Sequence, residues 1–343
     1  MKAREHPSLR SLNTFGLDAT AALLLEIESE EDVLGLPPLD SRRDLVLGGG
    51  SNVVLVDDVP GTVFLNRIRG IDVVGEDGDD CLVEVGAGEN WHDLVEWSLA
   101  HELSGLENLS LIPGSTGAAP IQNIGAYGVE LESVVDTVSC WDWRTGGWVA
   151  FDRDACRFAY RDSRFKQEPD RYLVTSIRLR LRTSFRPELS YAGLAEELER
   201  AGIASPTARD VAEAVIRIRR SKLPDPAVEG NAGSFFKNPV VGAVTADALR
   251  GRWPGLPAWA QAGGRCKLSA GWMIETCGLK GTSVGGAAVS ERHALVLVNR
   301  GGATGADVAA LAARIQAAVE DRFEIALEPE PRLVCFGQTL GSE

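Results

Sequence analysis

The stretch from Pro113 to Gly128 contains the residues best suited to hold a ligand, because it carries four glycines and almost no charge. Glycine lets backbone N–H groups approach a ligand closely and adopt positive φ, a geometry that cradles phosphate oxygens. Such a lining suits a polar, heterocyclic, phosphate-bearing ligand better than a metal, which prefers His, Cys or carboxylate. The alternative interpretation is a long surface loop. Uncharged hydrogen-bonding side chains stand between the glycines at Ser115, Thr116, Gln122, Asn123 and Tyr127.

A second glycine-rich turn, LGGGSN at 47–52, lies between two predicted strands. Its backbone N–H groups suit a diphosphate. It is not the dinucleotide fingerprint GxGxxG, which needs a glycine at position 53 and a following helix, because Val53 begins an extended run. The residues of the turn that we predict to contact a cofactor are Gly49, Gly50, Ser51 and Asn52.

The charge balance limits the partners of the chain. Lys and Arg number 35 against 49 Asp and Glu, so the formal net charge is −14. Such a surface repels nucleic acid and anionic membranes. An anionic ligand must therefore meet a local basic cluster, and RIRRSK at 217–222 is one. The alternative for this cluster is the basic last turn of a helix, where cations stabilise the helix dipole.

Cysteine and histidine usage argues against metal and disulfide chemistry. The six cysteines include no CxxC pair, and the four histidines show no ligand spacing. We therefore expect free thiols and no protein metal site. No apolar run of about 18 residues occurs, and the N-terminal sequence lacks the apolar core of a signal peptide. These features predict a cytoplasmic protein.

The order of the predicted elements indicates an α+β protein rather than regular βαβ alternation. A length of 343 residues is enough for two or three well-packed domains. The prolines and the glycine at 222–231 predict a linker. The last predicted helix, 306–323, has one apolar stripe and a capping box formed by Thr304 and Asp307.

Six motifs are specific enough in combination to indicate a family. They occur in the order LGGGSN, IPGSTGAAPIQNIGAYGVEL, CRFAYRDSRFK, SKLPDP, GNAGSFFKNP and LEPE. In this order, and at about these separations, they resemble the UDP-N-acetylenolpyruvoylglucosamine reductases (MurB) of the longer, first type. The resemblance extends from Asn13 to Arg332, which is nearly the whole chain.

The resemblance implies an α+β fold in which a two-part FAD-binding domain of the vanillyl-alcohol-oxidase/PCMH type precedes a smaller α/β substrate-binding domain. It places FAD-binding subdomain 1 at 1–67 and FAD-binding subdomain 2 at 68–215. The substrate-binding domain then covers 222–325, and the C-terminal segment 326–343 returns to the active site and the FAD domain.

The resemblance also implies non-covalent FAD, NADPH as co-substrate and a UDP-sugar as substrate, in a chain that we expect to be a monomer. The relatives usually carry a glutamine near His293, so this position departs from the family pattern. The predicted cofactor contacts are Gly49, Gly50, Ser51, Asn52, Ser115, Thr116, Gly117, Gln122, Asn123, Ala126 and Tyr127. The predicted substrate contacts are Tyr191, Lys222, Lys237 and Asn238.

The reaction that the resemblance implies reduces an enolpyruvyl ether to a lactyl ether, with hydride added at C3 and a proton at C2. Charge develops at C2 and its carboxylate, so the site must stabilise that charge and deliver the proton. Arg161 fits the first task as a bidentate guanidinium, although a structural ion pair with Asp162 or another acid is the alternative. Ser234 fits the second, although a turn role is the alternative. Glu330 matches the family's catalytic glutamate, whereas Glu328 is expected to be solvated.

Two other functions use some of the same residues. A flavin-dependent sugar or alcohol oxidase of the same superfold would use both glycine-rich loops but gives no role to GSFFKNP or LEPE. A non-catalytic nucleotide-sugar binding protein would not need Arg161, Ser234 and Glu330 together. Flavin release on denaturation and slow reoxidation in air would separate the reductase from the oxidase.

Overall fold

The structure, a computed structural model, describes residues 1–337. The last six residues of the predicted C-terminal segment 326–343 lie outside the described residues. The strands are β1 Lys2–Glu5, β2 Ala21–Ile27, β3 Leu45–Leu47, β4 Val53–Leu55, β5 Val59–Asn66, β6 Ile71–Asp77, β7 Asp80–Gly86, β8 Gly125–Ala126, β9 Val129–Glu130, β10 Val135–Asp142, β11 Gly147–Asp152, β12 Tyr172–Arg182, β13 Gly230–Ser234, β14 Val240–Gly242, β15 Ala258–Gln261, β16 Arg265–Leu268, β17 Ser283–Val284, β18 Ala287–Val289, β19 Val296–Asn299 and β20 Arg332–Val334.

The α-helices are α1 Glu30–Leu34, α2 Trp91–Ala100, α3 Arg164–Gln167, α4 Ala192–Arg200, α5 Ala208–Lys222, α6 Ala243–Arg252, α7 Ala270–Thr276 and α8 Gly305–Phe323. Short 3-10 helices include Glu107–Leu109 and Thr116–Gln122. We find no helix within residues 1–337 that could traverse a lipid bilayer.

The chain divides into two compact units, each discontinuous in sequence. Unit 1 comprises Met1–Pro7, Ala21–Gly50 and Val59–Ser221, and unit 2 comprises Ser8–Thr20, Ser51–Asp58 and the chain from Lys222 onward. The domain ranges predicted from the sequence are continuous, so they did not anticipate that two short early segments belong to unit 2. Those predicted ranges remain predictions.

Unit 1 contains two sheets. In the first, with strand order β1-β2-β5-β3, β2, β5 and β3 run parallel and β1 pairs antiparallel with β2. The second is antiparallel, with order β11-β10-β12-β7-β6. Its central strand, β12, is buried from Tyr172 to Ile177 and then alternates between buried and exposed residues. Helix α2 packs on this sheet through Trp91, Leu94 and Val95. The loops that follow α2 therefore begin at a well-packed helix.

Unit 2 is built on the antiparallel sheet β13-β19-β18-β17 and the smaller sheet β14-β16-β15, with β20 paired parallel to β4. Helix α8 begins at the predicted capping box, in which Thr304 and Asp307 bond to each other's backbone. Its apolar stripe, which includes Leu311, Ile315 and Phe323, is fully buried. Burying each such side chain stabilises the fold by about 1.5–3 kcal/mol.

Helix α8 can approach strand β4 only because its first residue is glycine. A Cβ on Gly305 would lie 1.9 Å from the carbonyl oxygen of Leu55, whereas a Cβ on Gly251 in α6 would meet nothing within 4 Å. We predict that Gly305→Ala lowers the free energy of unfolding by about 3 kcal/mol, because backbone must move. Gly251→Ala should raise it by about 0.5–1 kcal/mol through helix propensity.

Urea denaturation of both variants measures this difference. Similar midpoints for Gly305→Ala and Gly251→Ala would contradict the packing described for α8.

Candidate active site

Three segments of unit 1 converge around the start of the predicted cofactor loop. The amide of Gly49 donates to Ser115 Oγ at 3.2 Å, and the amides of Thr116 and Gly117 donate to the carbonyls of Glu89 and Ala87, each at 2.8 Å. A Cβ on Gly117 would lie 2.4 Å from Ala87 Cβ. The glycine is therefore required by the packing of one loop against another.

These contacts change the form of one prediction. The sequence suggested that the glycines of the 113–128 stretch offer backbone N–H groups to phosphate, but the amide of Gly117, like that of Thr116, already donates to a protein carbonyl. Thr116 also donates its hydroxyl to Glu89 O at 3.2 Å. Any phosphate contact of this turn must come from its other groups, and the residues remain predicted cofactor contacts.

The end of the same loop is a two-residue hairpin turn between β8 and β9. Its turn residues, Tyr127 and Gly128, have φ of +50° and +89°, and such left-handed pairs match the twist of a hairpin. The turn presents Tyr127 beside Tyr191, with ring centroids 5.0 Å apart in an edge-to-face arrangement. The structure thus places a predicted cofactor residue against a predicted substrate residue within unit 1.

A buried arginine lies behind Tyr127. The Arg219 guanidinium hydrogen bonds to the Tyr127 hydroxyl, while burial lowers the pKa of Arg219 and raises that of Tyr127. Arg219 Nε is buried and has no hydrogen-bond partner within residues 1–337. Arg217 instead pairs with Glu197, so the members of the cluster have separate roles. The run RIRRSK does form the end of α5, as the alternative interpretation of this cluster states.

Arg161 hydrogen bonds to the predicted cofactor loop, and Asn123 of that loop hydrogen bonds to the turn that carries Arg161. Arg161 has φ of +54° and donates from Nη2 to Gly125 O at 2.8 Å. Asn123, which is fully buried, donates to Glu130 Oε2 at 3.0 Å and to Ala159 O at 3.3 Å, and accepts from Glu132 N at 3.0 Å. Asn123 therefore ties the cofactor loop to the turn that carries Arg161.

The environment of Asp162 fits a separate structural role. Its carboxylate accepts from Gln167 Nε2 at 2.9 Å and from the Ser163 amide at 2.9 Å. Both bonds fix the start of α3 next to the turn of Arg161. Asp162 therefore has its own structural bonds, which do not depend on the Arg161 side chain.

In unit 2, a β-bulge positions Ser234 at the end of β13. Asn231 pairs with Val298 and Ser234 with Val296, so β13 has one extra residue. Gly233 takes up the bulge with φ of +71°. Bulges redirect the side chains that follow them and often occur beside active sites.

The segment that carries Glu330 pairs with the chain immediately after Ser234. Glu330 N donates to Phe235 O at 2.8 Å, Lys237 N donates to Glu328 O at 2.9 Å, and Phe236 and Pro329 form the bridge between them. The motifs GSFFKNP and LEPE, distant in sequence, are therefore neighbours in unit 2.

The same pairing brings two oppositely charged side chains together. Lys237 forms an ion pair with Glu328, and their side chains are 15% and 66% exposed. The sequence predicted Glu328 to be solvated, which its exposure agrees with, but its contact with Lys237 was missed. Part of the positive charge that we assigned to the substrate is thus balanced by protein.

Asn52, the last residue of the LGGGSN turn, bonds to the segment that carries Glu330, and both belong to unit 2. Its side-chain amide donates to Glu330 O at 3.3 Å, and its carbonyl accepts from Arg332 N at 3.0 Å. Strand β20 continues this contact by pairing in register with β4. Asn52 therefore has a structural bond to Glu330 besides its predicted cofactor role.

Other predicted substrate residues of unit 2 have different surroundings. Asn238 Oδ1 accepts from Ala270 N at 3.0 Å and so caps α7. Lys222 is exposed. His293 accepts from Leu295 N at 3.2 Å through Nδ1, and burial, with the charge of Lys222, lowers the pKa of His293.

The donor set of unit 1 fits FAD rather than a metal ion. Its loops offer uncharged hydrogen-bonding groups, and the buried Nε of Arg219 lacks an acceptor among the described residues. An anionic or carbonyl-bearing ligand would satisfy such a donor. Within residues 1–337, no group of three or more His, Cys, Asp or Glu is arranged to hold a metal ion.

Comparison with known proteins decides the family. The chain is 53% identical over 336 residues to the UDP-N-acetylenolpyruvoylglucosamine reductase of Pseudomonas aeruginosa, covering 97% of this chain and 99% of that relative. It is 55% identical over 333 residues to the reductase of the same name from Azoarcus sp. strain BH72, covering 95% and 96%. The chain belongs to the UDP-N-acetylenolpyruvoylglucosamine reductase family.

Two family models match separate parts of the sequence of this reductase family member. Residues 25–151 match the FAD binding domain, and residues 225–334 match the C-terminal domain of UDP-N-acetylenolpyruvoylglucosamine reductase. The crystal structure of the reductase from Thermus caldophilus covers 97% of this chain and 99% of its own, with 28% identity and a TM-score of 0.67. The predicted α+β fold, with an FAD-binding domain of the PCMH type and a reductase C-terminal domain, is confirmed.

Sequence reasoning missed three side chains that organise this reductase site. Arg219 was visible only as one member of a basic run, and Asn52 and Asn123 were assigned only to the cofactor. The sequence did point to Asn52 and Asn123, since each lies in a glycine-rich motif. Their bonds to Glu330 and to the Arg161 turn depend on contacts between distant segments, which no spacing rule supplies.

We predict that Asn123→Ala lowers kcat by at least about tenfold and the free energy of unfolding by about 2 kcal/mol. The reason is that the Glu130 carboxylate and the Glu132 amide lose their hydrogen bonds to Asn123, and the Arg161 turn loses its tether. Steady-state kinetics and urea denaturation measure the two effects. Asn299→Ala is the matched control, because Asn299 also makes three side-chain hydrogen bonds. The control should lose stability and keep kcat; a normal kcat in Asn123→Ala would contradict the tether.

Proposed function

We propose that the chain reduces UDP-N-acetylenolpyruvoylglucosamine to UDP-N-acetylmuramate with NADPH and non-covalent FAD, a step in peptidoglycan precursor synthesis. The observation that carries this proposal is the pairing of the Ser234 and Glu330 segments, in a chain that shares 53% of its residues with a reductase of this name over 97% of its length. An oxidase would have no use for that pairing.

FAD, when bound, supplies the hydride chemistry that joins NADPH oxidation to reduction at C3 of the enolpyruvyl group. The protein must then deal with the negative charge that develops on C2 and its carboxylate. Arg161 would hold that carboxylate, because a guanidinium keeps its charge at any working pH and can bind both oxygens. Its left-handed backbone and its bond to Gly125 O restrict where it can point.

Ser234 would donate the proton to C2. A serine hydroxyl is a weak acid, so it needs a neighbouring cation and a fixed orientation. The bulge at Gly233 supplies the orientation. The cation would be Lys222 or Lys237, and the Glu328 carboxylate beside Lys237 makes Lys237 the more tightly held of the two.

Glu330 would act on the same charge as a hydrogen-bond donor in its protonated form. Its backbone is bonded on one side to Phe235 O and on the other to Asn52 Nδ2. Prolines 329 and 331 restrict φ on both sides of it. The glutamate is thus positioned by its main chain.

The remaining assignments concern binding. The cofactor would contact Gly49, Gly50, Ser51, Asn52, Ser115, Thr116, Gly117, Gln122, Asn123, Ala126 and Tyr127. The UDP-sugar would contact Tyr191, Lys222, Lys237 and Asn238. We expect a cytoplasmic monomer, since nucleotide sugars and NADPH are cytoplasmic metabolites.

Anaerobic half-reactions test the function. NADPH should bleach the flavin absorbance of the purified protein, and UDP-N-acetylenolpyruvoylglucosamine should then restore it. In Ser234→Ala, bleaching should proceed at the normal rate and recovery should slow by about 10²–10⁴-fold, because only the second step needs the proton donor.

Two results would contradict the proposal. Recovery of colour with oxygen but not with the enolpyruvyl substrate would favour the oxidase. Recovery in Ser234→Ala at the normal rate would remove Ser234 from its assigned role, while leaving the overall reaction in place.

A further inference from the structure

Asn108, a residue outside every motif considered above, connects two loops of unit 1. It lies in the 3-10 helix Glu107–Leu109 and is fully buried. Its side-chain nitrogen donates to Tyr127 O at 2.8 Å and to Glu188 O at 2.9 Å. One amide group therefore holds the hairpin turn at Tyr127 and the segment that precedes Tyr191.

The two loops are in close contact where Asn108 joins them. A Cβ on Gly128 would lie 2.9 Å from Ser190 Oγ, and Gly128 has φ of +89°, so a side chain at this position would be strained. The Ser190 amide donates to Glu188 Oε1 at 2.8 Å. The Tyr191 ring then meets the Tyr127 ring edge-to-face at 5.0 Å. The position of Tyr191 thus depends on how the 188–190 segment sits on the turn.

An asparagine at position 108 destabilises the fold through its buried oxygen, so its two donated hydrogen bonds must matter more. Asn108 Oδ1 is buried without a hydrogen-bond partner among residues 1–337, and burying an unpaired polar atom destabilises a fold. A leucine, which has the same branched shape, would avoid this cost, but it would remove the donor that both carbonyls share. An amide NH₂ is the smallest neutral side-chain group with two hydrogens on one atom, so it can bond both carbonyls at once.

We propose that Asn108 is a positioning residue that fixes the 188–191 segment on the Tyr127 turn and thereby sets the affinity for the UDP-sugar. The proposal rests on the proposed function, in which Tyr191 contacts the substrate. Asn108 would not touch the substrate. It would keep Tyr191 ordered before binding, so that binding does not have to order the segment.

Asn108→Leu removes both donated hydrogen bonds while keeping the branched shape of the side chain. We expect KM for the UDP-sugar to rise about tenfold, the effect of losing one to two hydrogen bonds, and kcat to stay within about twofold. Hydrogen exchange measured by mass spectrometry should become faster in the peptide covering 185–191. A second variant, Asn108→Ser, keeps one donor and should show a smaller change in both KM and the exchange rate at 185–191. The same two measurements on Asn108→Ser test the proposal if Asn108→Leu folds poorly.

Two controls distinguish positioning of Tyr191 from a general stabilising role of Asn108. Asn13→Leu removes another buried asparagine that donates to two carbonyls, those of Leu9 and Leu17, and should leave KM and exchange at 185–191 unchanged. Tyr191→Ala should raise KM in the native background but add little in Asn108→Leu, because both changes disable the same contact.

The proposal is overturned if Asn108→Leu leaves exchange at 185–191 unchanged, if KM and kcat change by the same factor, or if the KM effects of Asn108→Leu and Tyr191→Ala multiply. Failure of the proposed function would look different. The native protein would then not turn over UDP-N-acetylenolpyruvoylglucosamine, whereas the exchange result would still report whether Asn108 tethers the segment.

Discussion

The backbone pairing of residues 235–237 with residues 328–330 is the interaction on which the candidate chemistry depends. Two main-chain hydrogen bonds and the Lys237–Glu328 ion pair hold these segments together. Main-chain bonds fix register without using the side chains. They can therefore bring the Ser234 and Glu330 positions onto neighbouring segments of the chain. The bond from the Asn52 side chain to Glu330 O adds a fourth interaction.

In unit 1, side-chain amides rather than main-chain pairing hold the functional segments together. Asn123 ties the cofactor loop to the Arg161 turn, and Asn108 ties the Tyr127 turn to the segment before Tyr191. Both asparagines are fully buried. Loops with many glycines lose much conformational entropy on folding, so bonds of this kind are needed to keep one geometry. The functional side chains then sit on ordered loops.

The sequence predicted those parts of the molecule that depend on local patterns. The capping box at Thr304 and the apolar stripe of α8 are local, and both are as predicted. The α+β class and the reductase family followed from motif order. By contrast, the assignment of Ser51–Asp58 to unit 2 depends on long-range pairing of β4 with β20. That of Ser8–Thr20 depends on long-range bonds such as those from Thr14 to Asn231 O and from Asn299 to Phe15 O. The bonds from the amides of Thr116 and Gly117 to Glu89 and Ala87 are long-range in the same way, because their acceptors lie in another loop.

The central claim is that Ser234 and Glu330 act together on one step, because one strand pairing positions both. A double-mutant cycle on the rate of flavin reoxidation by UDP-N-acetylenolpyruvoylglucosamine tests it most directly, with Ser234→Ala, Glu330→Gln and the double variant. Residues that act as a unit give losses that do not add. The account predicts that the double variant is about as slow as the slower single variant. Losses that multiply across the two substitutions would show that they act independently and would contradict the account.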